Sequence, residues 1–137
     1  MAILQTIMAG ASLLQAYNNY SAYRDQSTIS RMNSRIEEIR GKEQAIAINK
    51  MGAETLASQN ALFTARGFLN GGTKQAVADN TIQNINNDLS TAHFNSKIKS
   101  LNHKRNSIDY KKTANFSLLS GLLDGGNKLM QYKSKTY

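Results

Sequence analysis

Apolar and polar positions divide the chain into an uncharged start, a charged arm, a glycine-marked break, a second charged arm and an uncharged stretch near the end. No charged residue occurs from Met1 to Tyr23. Within it Ile3, Ile7, Gly10, Leu14 and Tyr17 fall at helical spacing, as do Leu4, Met8 and Ala11. The apolar arc is wide and also takes in Leu13. Ala9, Gly10, Ala11 and Ser12 are small enough to let another helix approach closely. Tyr17, Tyr20 and Tyr23 recur every three residues as a phenolic ridge. From 24 to 66, Arg24, Arg31, Arg35 and Arg40 alternate with Asp25, Glu37, Glu38 and Glu43. Ile29, Met32, Ile36 and Ile39 step by three and four, which predicts a heptad seam continued by Ile46, Met51 and Leu56. Gly41 and Gly52 each weaken such a helix by about 1 kcal/mol relative to alanine. Ser27-Thr28-Ile29-Ser30 is the expected place for a kink or early break.

The break is Ala65-Arg66-Gly67-Phe68-Leu69-Asn70-Gly71-Gly72-Thr73. Gly67 can adopt the left-handed conformation that ends a helix, since it has no Cβ to clash. With Gly67 at C′, Phe68 and Phe63 take the two positions that touch in a Schellman motif. Thr73, after Gly71 and Gly72, is the expected N-cap of a second helix. The alternative is a flexible glycine loop between unrelated pieces. Helical periodicity on both flanks favours the turn.

Beyond the break, Val77, Ile82, Ile85, Leu89 and Ala92 make one seam; Phe94, Ile98, Leu101 and Ile108 continue it after a phase shift. Asn84, Asn86 and Asn87 are weak helix formers, so this arm needs packing to be helical. Residues 113 to 123 are uncharged and carry Phe116, Leu118, Leu119, Leu122 and Leu123. Asp124-Gly125-Gly126-Asn127 is expected to end or bend the helix.

The expected fold is all-α: a long antiparallel helical hairpin of two main helices in a single domain. Its first arm is 1–66 with apolar segment 1–23, its turn 67–73, its return arm 74–127, and its basic tail 128–137. Folding about the turn brings Phe63 near Val77, Ile46 near Phe94, and Ile29 near Ile108 or Tyr110. Both uncharged segments then collect at one pole. A helix of about fifty-five residues is on the order of 80 Å long. Two such helices bury one stripe each, so the pole needs more copies, other proteins or lipid. Assembly as a helical oligomer is expected.

Composition adds what the pattern omits. The 137 residues contain neither cysteine nor proline, and aromatic residues make up 7%. Disulfides and thiolate metal sites are excluded, and long uninterrupted helices are favoured. The start has no lysine or arginine before its apolar stretch, unlike a secretory signal, and that stretch falls short of the roughly 20 residues a bilayer span needs. Net charge is +8. Lys97, Lys99, Lys104, Arg105, Lys111 and Lys112 form the densest basic run, against Asp109. They are the candidates for polyanion contact, the alternative being a solvated flank. Aromatics are too sparse there to stack bases. His93 and His103 are not on one turn, and no phosphate loop, GxSxG or HExxH occurs. No catalytic site, metal or cofactor is expected.

The order of features resembles one family. A small-residue apolar start, a polar helix, the central turn, a polar return helix and Leu-Leu-Ser-Gly-Leu-Leu-Asp-Gly-Gly follow one another. This is similar to the small internal virion proteins, the core or DNA-ejection proteins, of short-tailed bacteriophages. The central stretch of that family looks like Ala-Ala-Arg-Gly followed by Gly-Ser-Gly or Gly-Ser-Ser. Here Ala65-Arg66-Gly67 and Gly71-Gly72-Thr73 take those places. The resemblance implies a non-enzymatic virion component, stored near the portal, expelled ahead of the genome, and assembling into a conduit at the host's outer membrane. It implies a homo-oligomer that neighbours other portal or tail proteins and transiently meets genomic DNA and the host envelope. On that reading Ile3, Ile7, Leu13, Leu14, Phe116, Leu118, Leu119, Leu122 and Leu123 serve assembly or membrane contact. The competing readings are a static tail- or portal-associated subunit that enters no membrane, and a basic DNA-packing protein.

Overall fold

The computed structural model describes residues 2–67 and 71–134, with side-chain surroundings for 10–67, 71–128 and 130–131. Among these residues there is no strand. Helix α1 spans Ala2–Ala65 and helix α2 spans Gly72–Ser134, and the two pack against each other as a helical hairpin. Proline's absence lets both arms run without a missing N–H donor. Two expected interruptions are continuous helix instead. Ser27–Ser30 stays inside α1, and Asp124–Asn127 stays inside α2, which continues through Lys128 to Ser134. Both stretches lie against the opposite arm, and tertiary packing outweighs weak propensity there.

The turn follows expectation on one side and departs from it on the other. Gly67 has φ 78°, and its N–H donates to the Thr64 carbonyl at 3.1 Å. That is the bond the Schellman geometry assigns between C′ and C2. Phe68, and so the Phe63–Phe68 contact, lies outside the described residues. Helix α2, however, starts at Gly72, one residue before the expected N-cap. The N–H groups of Lys74 and Gln75 donate to the Gly71 carbonyl at 3.0 and 3.4 Å. Gly71 is therefore the N-cap and Thr73 sits inside the first turn. Two glycines in succession let the chain enter the helix before the threonine is reached.

The molecule comprises two compact units: a turn unit, Ser34–Leu101, and a terminal unit, Met1–Asn33 with Asn102–Tyr137. In the turn unit the arms meet through small residues. Ser100 donates to the Glu38 carboxylate at 2.8 Å, leaving its oxygen to accept from Ser34, also at 2.8 Å. Ser96 donates to the Glu37 carbonyl. A Cβ on Gly41 would stand 2.2 Å from Ser96 Oγ, and one on Gly52 2.4 Å from Ile85 Cδ1. Toward the turn, the Gln59 amide bonds the Thr81 hydroxyl at 3.0 Å.

The terminal unit uses the same device. Ser27 and Ser107 each donate to the other's backbone carbonyl at 2.9 Å. Ser30 is buried, and Ala114 is wholly so. Gly121 lies over Ala16, where an added Cβ would come within 2.1 Å of the Ala16 Cβ; Gly125 lies under Leu13. The two uncharged segments therefore do pack side by side. Every buried side-chain nitrogen and oxygen among the described residues has a hydrogen-bond partner.

These contacts correct the expected seam. Ile36 and Ile39 are 42% and 55% exposed, and Ile29, Met32, Ile46 and Met51 are exposed as well. On α2, Val77, Ile85, Leu89 and Ala92 are half-buried as a seam requires, but Ile82, Phe94, Ile98, Leu101 and Ile108 are exposed. Ile46 and Phe94 stand at matching levels yet do not face each other. The physical reason is angular. Ile36 follows Ser34 by two residues, about 200° around a helix, so burying one turns the other outward. The short side chains hold the inner face because their hydroxyls reach the other arm directly.

Candidate functional site

Each arm carries two seven-residue patterns, on opposite faces of α1 and about 100° apart on α2. On α1, Ser27, Ser34 and Gly41 recur every seven residues on the inner face. Ile29 with Ile36, and Met32 with Ile39 and Ile46, recur every seven on the outer one. On α2, Ser100, Ser107, Ala114 and Gly121 lie inside, and Phe94, Leu101 and Ile108 outside. Along these rows the usual arrangement, with large apolar residues inward and small polar ones outward, is inverted, whereas nearer the turn Val77, Ile85 and Leu89 keep it. The outer stripes are the chemically distinctive surface of this chain.

In the turn unit the exposed stripe residues are Ile36, Ile39 and Ile46 on α1, and Phe94, Ile98 and Leu101 on α2. In the terminal unit, Leu14 and Tyr17 are exposed on α1, and Phe116, Leu119, Leu122 and Leu123 on α2. Leu13 is 39% exposed because part of it covers Gly125. Leu118 is half-buried. The side chains of Ile3 and Ile7 lie outside the described residues, although both belong to α1. Of the terminal residues expected to serve contact, Leu13, Leu14, Phe116, Leu119, Leu122 and Leu123 are exposed. Sequence reasoning assigned the stripes of the turn unit to the wrong face. The seven-residue recurrence of serine, alanine and glycine was the available signal.

The basic candidates are all exposed. In the terminal unit, Lys104 and Lys111 are one heptad apart and share a side of α2; Arg105 and Lys112 stand beside them. Asp109 offsets part of this charge, with its carboxylate 4.0 Å from Arg105. In the turn unit, Lys97 and Lys99 are two residues apart and point to different sides of α2, so they do not form one patch. Among the described residues no group of three or more histidines or carboxylates could hold a metal ion. Among those residues, too, no helix is long and apolar enough to cross a membrane.

In the turn unit a groove of about 460 Å³ lies between Gln44, Ala47, Ile48 and Met51 on α1 and Asp88, Thr91, Ala92 and Asn95 on α2. It is open and shallow, and Asp88 is its lone titratable group. No family model, curated protein or solved structure matches this chain. Fold and surface together define a two-helix hairpin whose closest contacts run through serine, glycine and alanine, with Val77, Ile85 and Leu89 half-buried toward the turn, and many of whose large apolar side chains face outward.

Proposed function

We propose that this chain is a non-enzymatic structural subunit of a bacteriophage particle's ejection apparatus. Copies associate through their apolar faces and help to form a conduit for the genome at the host envelope. The observation that carries the assembly part is the inversion of the hairpin, with isoleucine, leucine and phenylalanine outside and serine, glycine and alanine inside. An exposed row of this kind destabilises a solitary chain in water and is covered when copies meet. The phage assignment draws on the resemblance of the chain's central turn and its feature order. Contact with a bilayer falls to the outer faces of assembled copies, since no single described helix spans one. The Lys104, Arg105, Lys111 and Lys112 side of α2 is suited to phosphate, on DNA or on an anionic leaflet.

The test is dye release from vesicles of outer-membrane lipids. A conduit subunit releases entrapped dye as concentration rises through the range of self-association. Assembly without release would replace this reading with the static tail- or portal-associated subunit.

A further inference from the structure

We propose that copies of this chain join side by side in the same orientation, the outer stripe of α1 on one copy meeting the outer stripe of α2 on the next. This rests on the assembly reading above and names the occupant of both stripes as a second copy of the chain. The turn unit supplies the first argument. Ile36, Ile39 and Ile46 on α1, and Phe94, Ile98 and Leu101 on α2, are 41% to 68% exposed. The internal contacts Ser34–Ser100, Gly41–Ser96 and Gly52–Ile85 set the register. That register puts Ile36 and Ile39 at the levels of Leu101 and Ile98, to within one helical turn. A neighbour in the same orientation presents its α2 antiparallel to this α1, and the two stripes then meet over the same span without an axial shift.

Charge in the terminal unit, considered by itself, supplies the second. There the outer face of α1 carries Asp25 beside Ile29 and Met32, with the exposed Arg24 and Arg31 on its flank rather than on the stripe. The outer face of α2 carries Arg105, Asp109 and Lys112 beside Ile108, a net positive set. The Ser27–Ser107 contact places these groups at matching levels to within a turn. Pairing α1 with α2 sets Asp25 level with Asp109 and within about one turn of Arg105 and Lys112, so the acid meets a set with one net positive charge. Pairing α2 with α2 sets the basic face against itself, which is unfavourable. The stripes also lie on opposite sides of the hairpin, so a symmetric pair would cover one and leave the other wet. Head-to-tail contact covers both, and it propagates until it closes into a ring or continues as a filament. A ring is the form a conduit needs.

The absence of cysteine makes the test clean. Ile39→Cys and Ile98→Cys are made as separate variants of the full chain, both at exposed positions that leave the inner seam intact. Mixed and oxidised at micromolar concentration, the two variants should give several-fold more covalent dimer than either alone. The double variant should give a ladder of multimers on a denaturing gel. Equal dimer from either single variant, or no cross-link from a mixture that sediments as an oligomer, overturns the head-to-tail contact. Dye release by the unmodified chain is measured alongside. Release with the wrong cross-links overturns the contact geometry alone, whereas a well-folded monomer in sedimentation overturns the assembly reading and this contact together.

Discussion

Serine and glycine stand where the arms come closest, and each acts through its size. The Ser27 and Ser107 hydroxyls reach each other's carbonyls because neither side chain extends past one heavy atom beyond Cβ. At Gly121 even a methyl group is excluded, by the Ala16 Cβ at 2.1 Å. No side-chain rotation relieves that overlap. Gly121→Ala should therefore destabilise the chain by about 1–3 kcal/mol, despite alanine's better helix propensity. Gly126 has nothing within 4 Å of the position a Cβ would take. Gly126→Ala should stabilise by up to about 1 kcal/mol. Thermal unfolding followed by circular dichroism checks both, and opposite signs are required. The glycines were visible in the sequence, but only as a cost to the helix. Their use as points of close approach depends on what lies opposite, and spacing along one arm does not reveal that.

At the scale of the helix, two periodic patterns share one backbone. The sequence made a heptad seam legible and suggested that its largest members were buried in the hairpin. Their spacing was read correctly; the face was not, because a seven-residue repeat says which residues align and not which row meets the sister helix. The inner row is recognised by what it excludes. Ser34→Leu should force the arms apart and destabilise the hairpin by at least 1–3 kcal/mol, as overpacking does. Ile36→Ser should change the stability of the hairpin by no more than about 0.5 kcal/mol while weakening association. Denaturant melts paired with sedimentation separate these outcomes. At the turn, Gly67 has a positive φ that costs other residues, so Gly67→Ala should destabilise by about 1 kcal/mol. Thr73 lies past the N-cap, so Thr73→Ala should cost well under the ~1 kcal/mol typical of a lost cap.

For the whole molecule, Arg105 and Lys112 belong to the outer face of α2, whereas Lys104 and Lys111 lie on its flank and carry a separate signature. Removing the apolar contribution with Ile39→Asp and Ile98→Asp should abolish concentration-dependent association and keep helical content. Sedimentation velocity with far-ultraviolet circular dichroism reads both. Replacing Lys104 and Lys111 with glutamine should leave assembly intact and reduce the salt dependence of DNA or anionic-vesicle binding. A chain whose assembly fails with the Lys104 and Lys111 changes and survives the isoleucine changes would reverse the two assignments.

The sequence by itself determined that the chain is helical, where it doubles back, and approximately which levels of the two arms are neighbours. Those are local matters: the absence of proline, the conformational freedom of Gly67, and the counting of residues from the turn. Only the tertiary structure decided which face of each helix turns inward. That choice is made between helices. Hydroxyl groups that find carbonyls across a narrow gap, and glycines that open it, hold the arms together through their smallest side chains and leave the largest ones facing outward.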